Sequence, residues 1–187
     1  MDSAIIVTLV DALRSNGSWC GETHIQKASY FISRLKPDAL SFDFILYKHG
    51  PFSFDLRDEL TALRAFSFLD LDSETYPFGV RYSVASAGKT LQQRCAKFLK
   101  SERAVIDFVS SKLGALGVAH LERLATALYF TNEKIAAEER ASKIHEVKPH
   151  ITPELAGAAV KEVDQIRTEW QSKGSIKSRL LKPFAKA

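Results

Sequence analysis

Acidic, basic and histidine side chains cluster in two short segments of the 187-residue chain, residues 22–30 and residues 47–55. Acid–base catalysis needs two or more titratable groups in one pocket, so a reactive centre could form if the two segments met in space. The more ordinary interpretation is that the first group lies at a helix start and the second faces solvent beside a turn. We favour that interpretation, because such a turn serves to redirect the chain. The side chains concerned are Glu22, His24, Lys27, Lys48, His49 and Asp55.

The other common signatures of catalysis are missing from the sequence. The five histidines and two cysteines show neither an HExxH pattern nor the paired spacing typical of a zinc site. The chain has no glycine-rich phosphate loop of the GxxxxGK[ST] or GxGxxG type and no GxSxG nucleophile elbow. We therefore predict no metal, no cofactor and no catalytic residue.

Three aromatic residues lie around a Gly-Pro turn. Tyr47, Phe52 and Phe54 fall within eight residues, and periodicity does not assign all of them to a core. Aromatic side chains on a rigid turn are common anchors of protein interfaces. Packing beneath a neighbouring hairpin would explain them about equally well. The turn is therefore a candidate partner surface.

The positive charge of the chain belongs to its C-terminal segment. Five of the 26 basic residues lie in residues 171–187 without an acidic residue, which leaves 21 basic against 22 acidic residues elsewhere. The body is thus nearly neutral, and basicity alone does not predict nucleic-acid binding. A composition of 45% hydrophobic and 26% charged residues is ordinary for a globular protein.

The sequence predicts a cytoplasmic location. Cys20 and Cys95 are 75 positions apart and imply reduced thiols rather than a disulfide framework. The chain has no basic secretory start, and the apolar run of residues 4–10 is too short to span a bilayer. We expect no membrane association.

Apolar spacing predicts three helices in the first half. The first ends near Asn16, and the second begins at Thr23, which forms a capping box with Gln26, and stops before Pro37. The third begins with Ser53 as its N-cap. One face of the second helix is expected to be buried, formed by Ile25, Ala28, Ser29, Ile32 and Leu35.

Alternating residues predict a small β component. Residues 41–47 fit a short strand before the Gly-Pro turn, and residues 68–72 and 80–85 fit a hairpin joined through Tyr76-Pro77-Phe78-Gly79. Three helices followed by a hairpin is the order of a winged helix-turn-helix.

The remaining sequence predicts helices throughout. One helix starts at Ser86, another runs from Ser101 to Leu113, the next is marked by Leu121, Leu124, Ala125 and Leu128, and a short charged helix runs from Asn132 to about Ile144. Thr152-Pro153-Glu154 is a strong start signal for the last one.

We predict a mainly α fold with a small β component. Its winged-helix-like N-terminal half, residues 1–100, packs on a helical half, residues 101–173, and shares one core with it. Residues 174–187 are expected to form a basic, flexible tail.

The third predicted helix argues against its use in DNA recognition. Asp55, Asp58 and Glu59 oppose Arg57 and Arg64, a net charge of −1 where phosphate contacts need several positive charges.

The chain resembles the YwgA-like group of bacterial proteins and, more distantly, the Panacea/SocA-like antitoxin domain. The elements that carry the resemblance are Gln26-Lys27 with Tyr30-Phe31, residues 47–53, residues 125–130 and Lys148-Pro149-His150-Ile151-Thr152. The YwgA-like match extends over about residues 4–170, whereas the Panacea match covers the first half, with Ile25 where leucine is commoner. The resemblance implies a mostly helical fold with a small sheet, and toxin neutralisation or adaptor-like protein binding. It implies no catalytic residues.

We therefore predict a bacterial protein-interaction domain, antitoxin- or adaptor-like and without catalytic activity, whose protein partner could be a cognate toxin. Two alternatives stay open: a winged-helix DNA-binding regulator, and an enzyme with a polar pocket between residues 22–30 and residues 47–55. The predicted partner surface consists of Gln26, Lys27, Tyr30, Tyr47, Lys48, Gly50, Pro51, Phe52, Ser53 and Asp55.

Overall fold

The computed structural model describes residues 1–73, 79–132, 135 and 137–180, with the backbone alone at residues 73, 132, 137, 138 and 174–180. Within these residues the chain is mainly helical with two small antiparallel hairpins, which is the predicted fold class. The elements are α1 (Asp2–Ser15), α2 (Glu22–Leu35), β1 (Ile45–Tyr47), β2 (Gly50–Phe52), α3 (Phe54–Ala65), β3 (Leu69–Ser73), β4 (Val80–Val84), α4 (Ser86–Arg94), α5 (Ala96–Leu113), α6 (Val118–Asn132), α7 (Ala137–Val147) and α8 (Pro153–Leu180).

Helix α2 lies at the centre of the fold. It packs against α1, α5, α6 and strand β2, and every residue from His24 to Ile32 is buried. The prediction of a single buried face is therefore too narrow. A helix surrounded on all sides keeps no solvent-facing stripe, so its polar residues are buried with its apolar ones.

The N-cap prediction is right for α3 and α8 but wrong for α2. The Ser53 hydroxyl accepts a hydrogen bond from the Leu56 amide at 3.2 Å, and Thr152 does the same for Leu155 at 3.4 Å. Helix α2 begins at Glu22, and its N-cap residue is a glycine without a side-chain cap. The expected capping box does not form, because the Gln26 side chain bonds to the backbone of Ser53 instead.

Both β regions form hairpins. Strand β3 pairs with β4 as predicted, although their connection, residues 74–78, and with it the predicted turn at Tyr76-Pro77-Phe78, lies outside the described residues. The strand predicted over residues 41–47 is confirmed for β1, whose partner β2 was not predicted. Hairpin β1–β2 is thus inserted into the predicted order of three helices and a hairpin.

The predicted boundary at residue 100 falls inside α5, which begins at Ala96 after a break at Cys95. Ser101 does not start a helix, because its hydroxyl donates to the Phe98 carbonyl within α5. One buried apolar cluster contains residues from both predicted halves.

The later helices also differ from the prediction in their bounds. Asn132 ends α6 rather than starting a helix, and α7 begins at Ala137, with residues 133, 134 and 136 outside the described part. The predicted tail from residue 174 overlaps the end of α8, which continues to Leu180; residues 181–187 lie outside the described residues. In the part of the chain that the structure describes, no helix combines the length and apolar character needed to cross a bilayer.

Candidate functional site

The two segments that carry the polar and aromatic residues meet in the structure. The Lys27 ammonium group on α2 donates to the Pro51 carbonyl at 2.8 Å. The Gln26 amide donates to the Ser53 carbonyl and accepts from the Ser53 amide, both at 2.9 Å. Side chains of α2 therefore hold hairpin β1–β2 in place through hydrogen bonds to backbone groups in the hairpin and directly after it.

The meeting of these segments leaves no exposed face on the central part of α2, residues 24–32. The side chains of Gln26, Lys27 and Tyr30 are 0%, 2% and 0% exposed. The expected contact between this helix face and a partner is wrong for these three residues, because α2 is enclosed by its neighbours. Gly50, Pro51 and Ser53 are buried as well, so their part is to shape the hairpin.

The Lys27 ammonium group sits in an unfavourable environment for a charge. Burial lowers the pKa of Lys27 to about 8, and the neighbouring Lys148 also lowers it, while the Glu122 carboxylate opposes the shift. The protonated side chain is thus held by one carbonyl oxygen and by the field of Glu122.

Three basic side chains lie around the carboxylate of Glu122 on α6. Its carboxylate lies 3.5 Å from His49 Nδ1, 3.7 Å from Lys148 Nζ and 3.4 Å from His150 Nε2. Both imidazoles are exposed, whereas the carboxylate and the lysine are buried. Lys148 also donates to the carbonyls of Tyr47, at 2.9 Å, and Lys48, so it fastens the hairpin from a second side.

A cavity of about 640 Å³ opens over this carboxylate, between residues 46–49 and residues 147–150. Two imidazoles beside a carboxylate could exchange protons with a bound molecule. The described residues contain no group of acidic, cysteine or histidine side chains placed to hold a metal ion. Ammonium groups beside Glu122 also disfavour a cation there.

Sequence reasoning missed Glu122 and Lys148 as site residues. They lie about 70 and 100 positions from the hairpin, and neither belongs to a motif with a known chemistry. The only sequence signal for Lys148 was the resemblance, which includes Lys148-Pro149-His150; Glu122 lies outside the residues that carry the resemblance.

The tip of hairpin β1–β2 also packs tightly against α6. Gly50 has a φ of +85°, a conformation that L side chains rarely adopt. A Cβ atom at this position would lie 3.0 Å from Thr126 Oγ1. Glycine is therefore required here both by the backbone and by the contact.

The opposite side of the hairpin presents apolar side chains to solvent. Ile45, Tyr47 and Phe54 are 51%, 53% and 40% exposed, and Phe52 is half-buried. Ring centroids lie 5.9 Å apart for Tyr47 and Phe52, 5.7 Å for Tyr47 and Phe54, and 5.2 Å for Phe52 and Phe54. We call these four residues the aromatic face.

The exposure of Tyr47 and Phe54 excludes the interpretation that they are core residues packed beneath hairpin β3–β4. The other two predicted contact residues, Lys48 and Asp55, are exposed beside the aromatic face, at the hairpin turn and in the first turn of α3. Four of the ten predicted partner-binding residues are thus accessible to a partner, namely Tyr47, Lys48, Phe52 and Asp55.

No protein-family model matches this chain, and no curated protein matches it either. The resemblance to the YwgA-like and Panacea/SocA-like groups therefore stays a prediction.

Proposed function

We propose that this chain is a protein-interaction domain that binds its partner through the aromatic face. The observation that supports the proposal is a set of three mutually contacting rings, from Tyr47, Phe52 and Phe54, left open to solvent beside Ile45. Aromatic side chains of this kind supply large contact areas and dominate the binding energy of many interfaces.

The backbone beneath the aromatic face is held in place before any partner arrives. Lys27, Gln26 and Lys148 bond to the carbonyl or amide groups of Pro51, Ser53, Tyr47 and Lys48. Binding then costs little ordering of the main chain, which favours affinity. The partner that fits is a protein with an apolar pocket or groove.

The finer role that we propose is antitoxin- or adaptor-like, in the bacterial cytoplasm, with a cognate toxin as the partner. This part rests on the resemblance. A toxin encoded beside this gene would arrest growth when expressed alone, and co-expression of this chain would restore growth.

The experiment that tests the proposal compares partner capture by tagged wild-type protein with capture by a Tyr47→Ala/Phe54→Ala double variant. We expect a partner from the native host to bind the wild type saturably and to bind the double variant at least about tenfold more weakly. Isothermal titration with the purified partner gives the affinities.

Phe66→Ala is the matched control, because Phe66 is an exposed aromatic residue at the opposite end of α3. It should bind the partner like the wild type. Equal affinity of the partner for the wild type and the double variant, with both folded, would refute the proposal.

Neither alternative function is supported at the position that the sequence predicts for it. Helix α3 exposes Asp55 and Asp58 beside Arg57 and Arg64, so its surface lacks the net positive charge that phosphate contacts need. The polar pocket expected between residues 22–30 and residues 47–55 is occupied by the buried side chains of α2 that bond to the hairpin.

A further inference from the structure

A groove of about 790 Å³ lies on another part of the molecule, between the end of α2, α5 and α8. Its floor is apolar and contains Phe108 and Trp170, whose ring centroids are 5.3 Å apart, with Leu35 and Val105 beside them. The Trp170 indole donates to the Leu35 carbonyl at 2.9 Å, which fixes the ring. None of the residues of the aromatic face lines this groove.

The rim of the groove is basic. Arg34, Lys36, Arg167 and Lys173 line it, and the Lys173 ammonium lies 4.7 Å from the Phe108 ring centroid. Of the described residues that line the groove, Asp107 alone is acidic.

Two of the charged residues that line the groove, one acidic and one basic, are already paired with neighbouring residues. Arg103 binds the Asp107 carboxylate at 2.8 Å, and Lys36 is bound by Glu102 at 2.5 Å. Asp164 and Glu169 also lie near Arg167 and Lys173, but these carboxylates are themselves paired with Arg140 at 2.6 Å and Lys112 at 2.5 Å. The positive charge that remains at the rim comes chiefly from Arg167, Lys173 and Arg34, whose guanidinium lies 5.1 Å from the Tyr30 ring centroid.

We propose that this groove binds a small organic anion with a flat apolar body. The body would lie against Phe108 and Trp170, and the anionic group would face Arg34 and Arg167. The volume lies in the range of small-molecule sites, and a cleft lined by one sign of charge concentrates ligands of the other sign. Residues 181–187 suit the groove poorly as an occupant, because they carry Lys182 and Lys186 and no acid.

The test uses the full-length protein and 2-naphthoate as the anionic probe, with 2-naphthamide as its neutral counterpart. The readout is the indole N–H signal of Trp170 in a ¹H–¹⁵N spectrum, assigned with a Trp170→Phe variant. We expect naphthoate to shift this signal saturably and to leave the Trp19 signal in place. Naphthamide should bind at least about fivefold more weakly, because it lacks the charge-assisted contact.

An Arg34→Gln/Arg167→Gln variant should bind naphthoate about tenfold more weakly than the wild type, the loss expected for a hydrogen bond to a charged group. The matched control is Arg64→Gln/Arg94→Gln, which removes two exposed arginines outside the groove and should bind like the wild type. Higher salt should weaken naphthoate binding and leave naphthamide unchanged.

Three results would overturn the proposal: equal affinities for naphthoate and naphthamide, unchanged affinity in the Arg34→Gln/Arg167→Gln variant, or no saturable shift of the Trp170 signal at millimolar probe.

Discussion

The two faces of hairpin β1–β2 have different surroundings, and the outer face departs from the usual pattern because it is apolar. In most antiparallel hairpins the face toward the core is apolar and the face toward water is polar. Here the inner side meets the buried polar groups of Gln26, Lys27 and Lys148, whereas the outer side exposes Ile45 and Tyr47. Burial of polar groups is favourable only when their hydrogen bonds are made, so the inner contacts are specific. The inner side therefore fixes the hairpin, and the outer side carries the proposed interface.

The largest effect should come from Lys27→Met. The substitution leaves the buried Pro51 carbonyl without its donor, so we expect a loss of about 3 kcal/mol in the free energy of unfolding. Chemical denaturation measures the loss. Lys48→Met, at an exposed position of the same hairpin, should change it by less than about 0.5 kcal/mol. Similar losses of unfolding free energy in Lys27→Met and Lys48→Met would show that the buried contacts of the hairpin contribute no more to stability than its exposed positions.

Gln26→Leu should have the next largest effect. It leaves the Ser53 amide buried without a partner and removes one of two donors to the Ser53 carbonyl, which keeps the Arg57 amide at 3.2 Å; the expected cost is about 2–3 kcal/mol. Gln93→Leu, at an exposed position of α4, is the control and should be nearly neutral. Thermal denaturation of both variants beside the wild type checks this, and a neutral Gln26→Leu would mean that the hairpin is fastened by other contacts.

Gly50→Ala should destabilise by about 2 kcal/mol, since it combines a positive φ with a tight contact to Thr126. Gly17→Ala separates the two causes, because Gly17 has a φ of +83° and open space around it. Its cost should be about 1 kcal/mol, from the backbone alone. The difference between the two variants measures how tightly the hairpin tip is pressed against α6, and equal costs would show that the contact adds nothing.

Raising the pH should strengthen the wild type relative to Lys27→Met. The unfolded chain keeps the Lys27 proton to a pKa of about 10.4, whereas the folded chain releases it near a pKa of about 8. Between these values unfolding takes up a proton, so the folded state gains stability as the pH rises. The difference in unfolding free energy between wild type and variant should grow by up to about 1.4 kcal/mol per pH unit between pH 8 and 10. A constant difference would contradict a lowered pKa for Lys27.

The smallest effect on stability is expected from the outer side. Tyr47→Ser should change the free energy of unfolding by less than about 1 kcal/mol, because the side chain is half-exposed and mainly contacts other rings of the aromatic face. Denaturation under the conditions used for the inner variants gives the comparison. A loss as large as that of Lys27→Met would make Tyr47 a structural residue and remove the support for an interface.

Local signals in the sequence were sufficient for much of the fold. Ser53 and Thr152 cap their helices as predicted, and hairpin β3–β4 follows the predicted alternation. These features depend on residues close together in the chain. The grouping of Tyr47, Phe52 and Phe54 was also visible, because no periodicity placed all three in a core.

The inner side was not predictable in the same way. Lys27 and Tyr30 read as surface residues on an amphipathic helix, and only the packing of α1, α5, α6 and β2 around α2 buries them. Residues 24–32 contain one lysine and no acid, which is a weak sign of a fully enclosed helix. The contribution of Glu122 and Lys148 depends on distant chain segments, which local patterns do not report.

The contact made by Lys148 has a consequence for the order of events during synthesis. Its ammonium group bonds to carbonyls that lie 101 and 100 positions earlier in the chain, those of Tyr47 and Lys48. At synthesis rates of about 5–20 residues per second, the hairpin leaves the ribosome roughly 5–20 s before the lysine that completes its support. We therefore expect the aromatic face to reach its final geometry only after Lys148 has emerged from the ribosome.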